Sequence, residues 1–218
     1  MNCKYCSKPC NRCGKQKNGR QKYRCRNCLK YQQASYDNQA YYSNINDEIV
    51  SMVKEGVGIR GIGRLLSISK NTVLTRIKSI ASSVKKPTTV STGSIYEIDE
   101  MWTFSGSKKN QQWITYIYDR TNKSVIDFVV GRRNGESLKP MISRALTFKP
   151  KFIATDGLMV YRSLIPREIH VRDSYQTLRI ERNNLNLRTH LKRLSRKTIN
   201  YSKNVVMLSS VLTLYFWA

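Results

Sequence analysis

Three acidic residues between positions 99 and 181 stand where they could do chemistry together. Asp99 lies in a run of β-branched and aromatic residues, Asp156 follows the short run "KFIAT", and Glu181 lies in the basic segment "IERNNLNLRTHLKR". Carboxylates are the ligands of hard cations such as Mg²⁺, which leave room for water and phosphate. The three acids therefore predict a Mg²⁺ or Mn²⁺ site for in-line phosphoryl displacement, with water or a DNA hydroxyl as the nucleophile.

Taken singly, these acids also have plainer interpretations. Asp99 could be a strand acid paired with a lysine, and Asp156 could be a turn residue ahead of Gly157. The combination of a strand, a strand end and a helix is what favours a shared site. Glu100 follows Asp99 directly, and because neighbouring residues of a strand point to opposite faces, Glu100 is left out of the predicted site.

The segment around Glu181 predicts an amphipathic helix. Residues seven apart nearly eclipse in a helix, so Glu181 and Arg188 share one face, and Lys192 lies four residues further on. Glu181 therefore need not belong to the core. A separate apolar stripe can pack on a sheet, and it consists of Ile180, Leu187, Leu191 and Leu194.

The elements that must position these acids are indicated by the pattern of residues 95–218. The runs "SIYEIDEMWTFSG", "QWITYIYDRT" and "SVIDFVVGRR" predict a meander of three strands. A helix, a strand ending at Asp156, the segment "LMVYRSLI", the strand "IHVRD" and the Glu181 helix follow. The terminal "VVMLSSVLTLYFWA" is shorter than the roughly 20 apolar residues that cross a bilayer, and it predicts a buried closing helix. This order predicts an α/β domain with a mixed sheet and helices on its faces.

All six cysteines fall within residues 3–28, where they form three CxxC pairs. Two such pairs close a tetrahedral structural zinc site. The last pair belongs to any arrangement, because an Asn18-Gly19 turn predicts a hairpin that folds it back onto an earlier pair. The longer spacer favours the first pair as its partner, with the middle pair as the alternative. Residues 1–36 are thus predicted to be a zinc ribbon or finger that needs Zn²⁺ to fold. The pairs, in order, are Cys3 with Cys6, Cys10 with Cys13, and Cys25 with Cys28.

Residues 44–84 contain three apolar runs at helical spacing, and Ser69 is placed to cap the third helix. Two helices joined by a short turn form the helix-turn-helix motif, whose second helix enters the major groove of DNA. A plain three-helix bundle fits the periodicity equally well, but the third helix carries no acid, which favours DNA binding. The predicted base-reading residues are Lys70, Asn71, Thr72, Thr75 and Arg76.

The charge of the chain points to the same partner. Its 39 Lys plus Arg face 14 Asp plus Glu, for a formal net charge of +25 spread along the whole length. A polyanion is the expected partner, and nucleic acid is favoured over a membrane because no basic amphipathic helix rich in Trp and Phe and no lipidation motif is visible. No export signal is visible, so a cytoplasmic location with reduced cysteines is expected. A Ser/Thr-rich linker is predicted at residues 85–94.

Several stretches, among them "DEMWTFSGSKKNQQWITYIYDR", "TDGLMVYRSLIP" and "IERNNLNLRTHLKRLSRKTI", resemble the catalytic half of transposases from compact bacterial insertion elements whose reading frames are called InsA and InsB. The cysteine and helix-turn-helix blocks resemble the InsA half. The resemblance implies an RNase H-like catalytic domain with an Asp-Asp-Glu triad, which falls on Asp99, Asp156 and Glu181. It also implies that Arg188 and Lys192 hold the DNA end. The extra CxxC pair and the single continuous frame depart from the family pattern.

The function implied is a DNA transposase of a bacterium or archaeon, associated with the nucleoid. It would bind the terminal inverted repeats of its element, cut at the element ends with Mg²⁺ or Mn²⁺, and join the 3′ hydroxyl to target DNA. Bringing two ends together implies a homo-oligomer on double-stranded DNA. The alternatives are a non-catalytic zinc and helix-turn-helix regulator, an RNase H-like nuclease without strand transfer, and an inactive copy of the element.

Overall fold

The structure is a computed structural model that describes residues 1–88 and 91–218. The chain packs as two compact units, Met1–Ile45 and Asn46–Ala218. The segment predicted as a linker, residues 85–94, lies inside the second unit, and its Thr89 and Val90 are outside the described residues. Parts of this segment are held to the sheet described below. Lys86 Nζ lies 2.6 Å from Asp127 Oδ1.

The first unit is built on a small antiparallel sheet. Its strands run in the order β1 (Cys10–Lys15), β2 (Gln21–Cys25) and β3 (Tyr31–Gln33). Gly19 adopts φ +78° in the turn between β1 and β2, a conformation that favours glycine, and Cys25 pairs with Cys10 in the register. The predicted hairpin is therefore confirmed.

The second unit begins with three short helices, α1 (Ile45–Lys54), α2 (Ile59–Leu65) and α3 (Lys70–Ser83). Ser69 caps α3, because its side chain accepts a hydrogen bond from the backbone N–H of Thr72 at 3.0 Å, as predicted. The turn between α2 and α3 is tight: a Cβ added at Gly63 would lie 2.9 Å from the Ile68 carbonyl oxygen. The buried apolar side chains of these helices include Ile49, Val53, Ile62, Val73 and Ile77.

The rest of the second unit is a five-stranded mixed sheet in the order β6-β5-β4-β7-β8. β4, β5 and β6 form the predicted antiparallel meander, whereas β7 pairs parallel to β4 and β8 parallel to β7. The mixed sheet expected from the sequence is thus present. The strands are β4 (Ile95–Ser105), β5 (Ser107–Asp119), β6 (Ser124–Gly131), β7 (Phe152–Thr155) and β8 (His170–Arg172).

Helices cover both faces of this sheet. On one face, Leu138 and Ile142 of α4 belong to a buried cluster that also contains Tyr96 and Ile98 of β4. On the other face, Tyr116 of β5 contacts the backbone of α6 and the ring of Phe216 in α7. These helices are α4 (Gly135–Thr147), α5 (Tyr161–Leu164), α6 (Leu178–His190) and α7 (Val205–Trp217).

α7 is the buried closing helix that the terminal apolar run predicted. It packs against α3 and β6, and it buries Met207, Leu208, Val211 and Leu212. No helix among the described residues has the length and apolar character that crossing a membrane requires.

Candidate active site

The candidate site lies where β7 ends beside β4. β7 pairs with β4 over Ile95 to Ile98, and the last of these pairs joins Ile98 to Thr155. Asp156 follows Thr155 directly, and Asp99 follows Ile98, so the two acids come together at this strand end. One carboxylate oxygen from each of Asp99, Glu100 and Asp156 lies within 4.8 Å of the others. We call these three residues the carboxylate cluster.

Glu100 joins this cluster although the sequence reasoning left it out. The two neighbours do point to opposite faces: Asp99 contacts Asn184 of α6, whereas Glu100 accepts a hydrogen bond from the hydroxyl of Tyr161 in α5. The alternation did not keep Glu100 away from Asp99 and Asp156, because Asp156 lies beyond the end of β7, where acids on both faces of β4 reach it. The paired acids "DE", directly opposite a strand end, were the signal available in the sequence.

The carboxylates destabilise one another's charge. Burial raises the pKa of Asp99, and the negative charges of Asp156 and Glu181 raise it further. Burial, together with the charges of Asp156 and Asp99, raises the pKa of Glu100 to about 7, against the lowering effect of the Tyr161 hydrogen bond. Buried carboxylates that repel one another suit a hard divalent cation such as Mg²⁺ or Mn²⁺, because the positive charge of the ion would offset the repulsion.

Glu181 lies near the carboxylate cluster but is not a member of it. It occupies the first turn of α6, its side chain is exposed, and its Oε1 accepts a hydrogen bond from Thr177 Oγ1 at 3.4 Å. Its charge nevertheless contributes to the raised pKa of Asp99. α6 therefore carries an acid whose charge is felt by the cluster.

Buried polar residues of the sheet hold the start of α6. Glu97, two residues before Asp99 on β4, is completely buried, and its Oε2 accepts the backbone N–H of Ile180 at 2.8 Å. Arg120 forms an ion pair with Glu97 and donates a hydrogen bond to Gln176 Oε1 at 2.9 Å. Because Thr177 provides no side-chain cap, Glu97 supplies the acceptor that this helix start lacks.

An amide relay links α6 to the carboxylate cluster. Asn184 Nδ2 donates to Asp99 Oδ2 at 2.6 Å, and the buried Tyr116 hydroxyl donates to Asn184 Oδ1 at 2.8 Å. Since the amide oxygen is engaged by Tyr116, the amide nitrogen is directed at Asp99. The sequence reasoning missed Asn184, although it lies in the quoted "IERNN", because nothing in the sequence tells which face of α6 meets Asp99.

The two basic residues predicted to share the Glu181 face differ in position. Arg188 lies on α6 and donates to the carbonyl oxygens of Leu194, at 2.8 Å, and Trp102, at 3.5 Å. α6 ends at His190, so Lys192 belongs to the following 3-10 helix, Lys192–Leu194. The prediction that Lys192 continues the helical face is wrong, because the chain turns before it. Lys192 is exposed to solvent.

On α3, the predicted base-reading residues differ in exposure. Lys70, Asn71 and Thr75 are exposed. Thr72 and Arg76 are partly buried; the Thr72 hydroxyl lies 2.9 Å from the Ser69 hydroxyl, and Arg76 Nη1 donates to Asn46 Oδ1 at 3.4 Å.

In the first unit, one sulfur from each of four cysteines lies within 4.8 Å of the other three. Two of the separations are 3.5 and 3.4 Å, too long for a disulfide bond. They approach the roughly 3.8 Å that tetrahedral ligands about 2.3 Å from a zinc ion would show. Cys10 and Cys13 are outside this group. The four thiols could therefore hold a zinc ion, and they are Cys3, Cys6, Cys25 and Cys28.

Comparison with known proteins gives the class of the chain. Residues 94–217 match the family model described as IS1 transposase. The chain is 40% identical over 119 residues to the insertion element IS1 protein InsB of Shigella flexneri, covering 55% of this chain and 91% of that protein. The simian T-cell lymphotropic virus intasome in complex with a PP2A regulatory subunit is similar over 76% of this chain and 67% of that chain, at 15% identity and a TM-score of 0.41. The HTLV-2 integrase catalytic core domain in complex with magnesium is similar over 57% and 86%, at 14% identity and a TM-score of 0.39.

The family match and the InsB relative define an insertion-element transposase of the InsB type, and they confirm the resemblance seen in "DEMW" and "IERNN". The chain belongs to the IS1 transposase family. The match begins at residue 94, so the likeness of the front blocks to InsA stays a prediction.

Proposed function

We propose that this transposase is of the Asp-Asp-Glu type, and that it cuts DNA at the ends of its element and joins the freed 3′ hydroxyl to target DNA. One observation carries the proposal: Asp99 and Asp156 meet at a strand end, beside a helix that presents Glu181. The order of the sheet supports an RNase H-like domain, because three antiparallel strands are followed by two parallel ones, with helices on both faces.

In this proposal Asp99 and Asp156 hold Mg²⁺ or Mn²⁺ and Glu181 completes the site. The metal would supply charge stabilisation at the attacked phosphate and activation of the attacking oxygen. The residues of the chain fix the geometry. Asn184 engages one oxygen of Asp99 and leaves the other for the metal, and Glu97 keeps α6 at the sheet so that Glu181 stays beside Asp99.

The front of the chain would recognise the inverted repeats. The exposed Lys70, Asn71 and Thr75 at the start of α3 support a helix-turn-helix in which this helix reads base edges, because amide and basic side chains suit adenine and guanine. The four-cysteine group would hold the first unit together through Zn²⁺. Two ends must be brought together before joining, so we expect the active form to be a homo-oligomer on double-stranded DNA.

The test uses purified protein and labelled DNA carrying the sequences that flank the gene, with Mg²⁺ or Mn²⁺, scored for end cleavage and for joining to a plasmid. Cleavage together with joining supports the proposal. Cleavage without joining, at any metal concentration, would favour an RNase H-like nuclease. Specific binding to the repeats without cleavage would favour a regulator or an inactive copy.

The same assay decides between Glu181 and Glu100 as the third carboxylate. We expect Glu181→Gln to abolish both reactions, because Glu181 is exposed to solvent and its carboxylate forms no ion pair with any described residue. Glu100→Gln should keep most of the activity, since Glu100 is engaged by Tyr161 on the opposite face. The reverse result would replace Glu181 by Glu100 in the triad.

Asn184 gives a prediction that does not depend on turnover. Asn184→Ala removes the donor to Asp99, and loss of such an outer partner typically costs about 10- to 100-fold in metal affinity. Titration with Mn²⁺, followed by electron paramagnetic resonance, measures this directly. Asn186→Ala, an exposed position on the same helix, is the matched control and should leave the affinity unchanged. Equal Mn²⁺ affinity in the parent and in Asn184→Ala would contradict the relay.

A further inference from the structure

Beyond the carboxylate cluster, one edge of β4 has no strand partner. β7 pairs with β4 as far as Ile98, and within residues 1–88 and 91–218 no other strand pairs on that side. We call residues 99–105 of β4 the free edge. The carboxylate cluster stands at its start. Trp102 lies three residues beyond Asp99, which places their Cα atoms about 10 Å apart along the strand.

A groove of about 730 Å³ lies at the far end of the free edge. Its walls come from β4, from the start of β5, from α6 and from the segment that follows α6. We call it the basic groove and define it by two aromatic residues and four cations. These residues are Trp102, Phe104, Lys108, Arg188, Arg196 and Lys197.

The charge of the basic groove is of one sign. None of the described residues that line it is a carboxylate. Burial lowers the pKa of Arg188, and the positive charge of Arg196 nearby lowers it further. The two guanidinium groups therefore repel each other. A polyanion entering the groove would relieve that repulsion, as phosphates do at clusters of Arg and Lys.

The groove also presents aromatic rings, which phosphate binding alone does not need. Trp102 is 38% exposed. Its ring centroid lies 5.8 Å from that of Phe104, which in turn lies 4.9 Å from that of Tyr201, and both pairs are tilted rather than stacked on each other. Bases of unpaired nucleic acid stack on such rings, whereas a duplex hides the faces of its bases within its own stack.

We propose that the basic groove binds an unpaired stretch of the DNA strand whose phosphate lies at the carboxylate cluster, with a base stacked on Trp102 and phosphates on Arg196 and Lys197. The inference rests on the proposed function for the identity of the strand. It adds to that function a separation of the two DNA strands next to the reacting phosphate. It rests on the rings of the free edge and the cations of α6 and the following segment, which line one groove.

The test is direct binding, measured by fluorescence anisotropy without added Mg²⁺ or Mn²⁺, so that no reaction occurs and the cysteine group keeps its zinc ion. The full-length protein is titrated with a labelled single-stranded oligonucleotide, an abasic oligonucleotide of equal charge, and a duplex. Trp102→Ala should weaken binding of the base-containing strand roughly tenfold or more, without changing binding of the abasic strand. Trp102→Phe should retain most of the affinity. Thermal melting would establish that both variants are folded.

A second pair of variants tests the phosphate contacts. Arg196→Ala with Lys197→Ala should weaken binding of the base-containing and abasic strands alike, and it should make the dependence on salt shallower. Lys123→Ala with Lys139→Ala, two exposed cations outside the groove, is the charge-matched control and should change neither.

The outcomes separate this inference from the proposed function. Unchanged binding by Trp102→Ala, or equal loss on the base-containing and abasic strands, would overturn the groove proposal even if the parent cleaves DNA. If Trp102→Ala loses affinity for the base-containing strand but not for the abasic strand, the groove is a site for unpaired strands even if the parent never cleaves DNA. In that case the proposed reaction would be wrong and the groove proposal would be retained.

Discussion

Replacing Asp99 with Asn is expected to abolish end cleavage and strand joining while DNA binding persists. Asp99 is the acid that both Asp156 and Asn184 approach, and its carboxylate is a candidate ligand rather than a supporting group. The loss should therefore exceed the roughly 10- to 100-fold that removal of an outer partner causes. Asp156→Asn should behave in the same way. Glu136→Gln, an exposed acid in the first turn of α4, is the control that should stay active.

Stability provides a second measurement on the same variant. Burial and neighbouring charges raise the pKa of Asp99 above its unfolded value, so in the metal-free protein its ionised form costs stability as the pH rises through the acid range. Asn resembles the protonated form. The melting temperature of Asp99→Asn at neutral pH, without metal, should therefore equal or exceed that of the parent. Lost activity with a lowered melting temperature would indicate damage to the fold rather than loss of a ligand.

Removal of zinc, or the change Cys25→Ser, is expected to unfold Met1–Ile45. The three strands of this unit are short, and few of its apolar residues are buried, so little else holds it together. Structural zinc contributes on the order of 10–16 kcal/mol of apparent binding free energy in small modules. The measurement is zinc content together with hydrogen exchange of residues 1–45 in the full-length chain.

Cys13→Ser is the matched control, because Cys13 lies outside the group of four sulfurs. It should keep one zinc ion and the slow hydrogen exchange of the parent. If Cys13→Ser released zinc while Cys3→Ser retained it, the middle CxxC pair would be the ligand pair, and the group of four would have to be revised.

Local patterns made much of this fold predictable. Alternating β-branched and aromatic residues marked β4, β5 and β6, because a strand that packs on both sides selects such side chains. The cap at Ser69 and the turn at Gly19 were predictable because each depends on the backbone of neighbouring residues alone.

Contacts made far along the chain were not predictable. Glu100 enters the carboxylate cluster only because β7 stops at Thr155, and Asn184 meets Asp99 only because α6 docks in one rotation on the sheet. The end of α6 at His190 was also hidden, since neither glycine nor proline follows it. The chain is turned there by tertiary bonds: Arg188 donates to the Leu194 carbonyl, and the Ser195 hydroxyl donates to the Arg188 carbonyl at 2.9 Å.

The free edge of β4 has a consequence for solubility. An unpaired strand edge is a template on which a second molecule can add a strand and begin an aggregate. Here the Trp102 carbonyl is approached by Arg188, and the neighbouring segment carries Arg196 and Lys197. Two such edges cannot pair without bringing these cations together. The positive charge therefore discourages intermolecular β-sheet formation, and neutralising it with a polyanion would remove that protection.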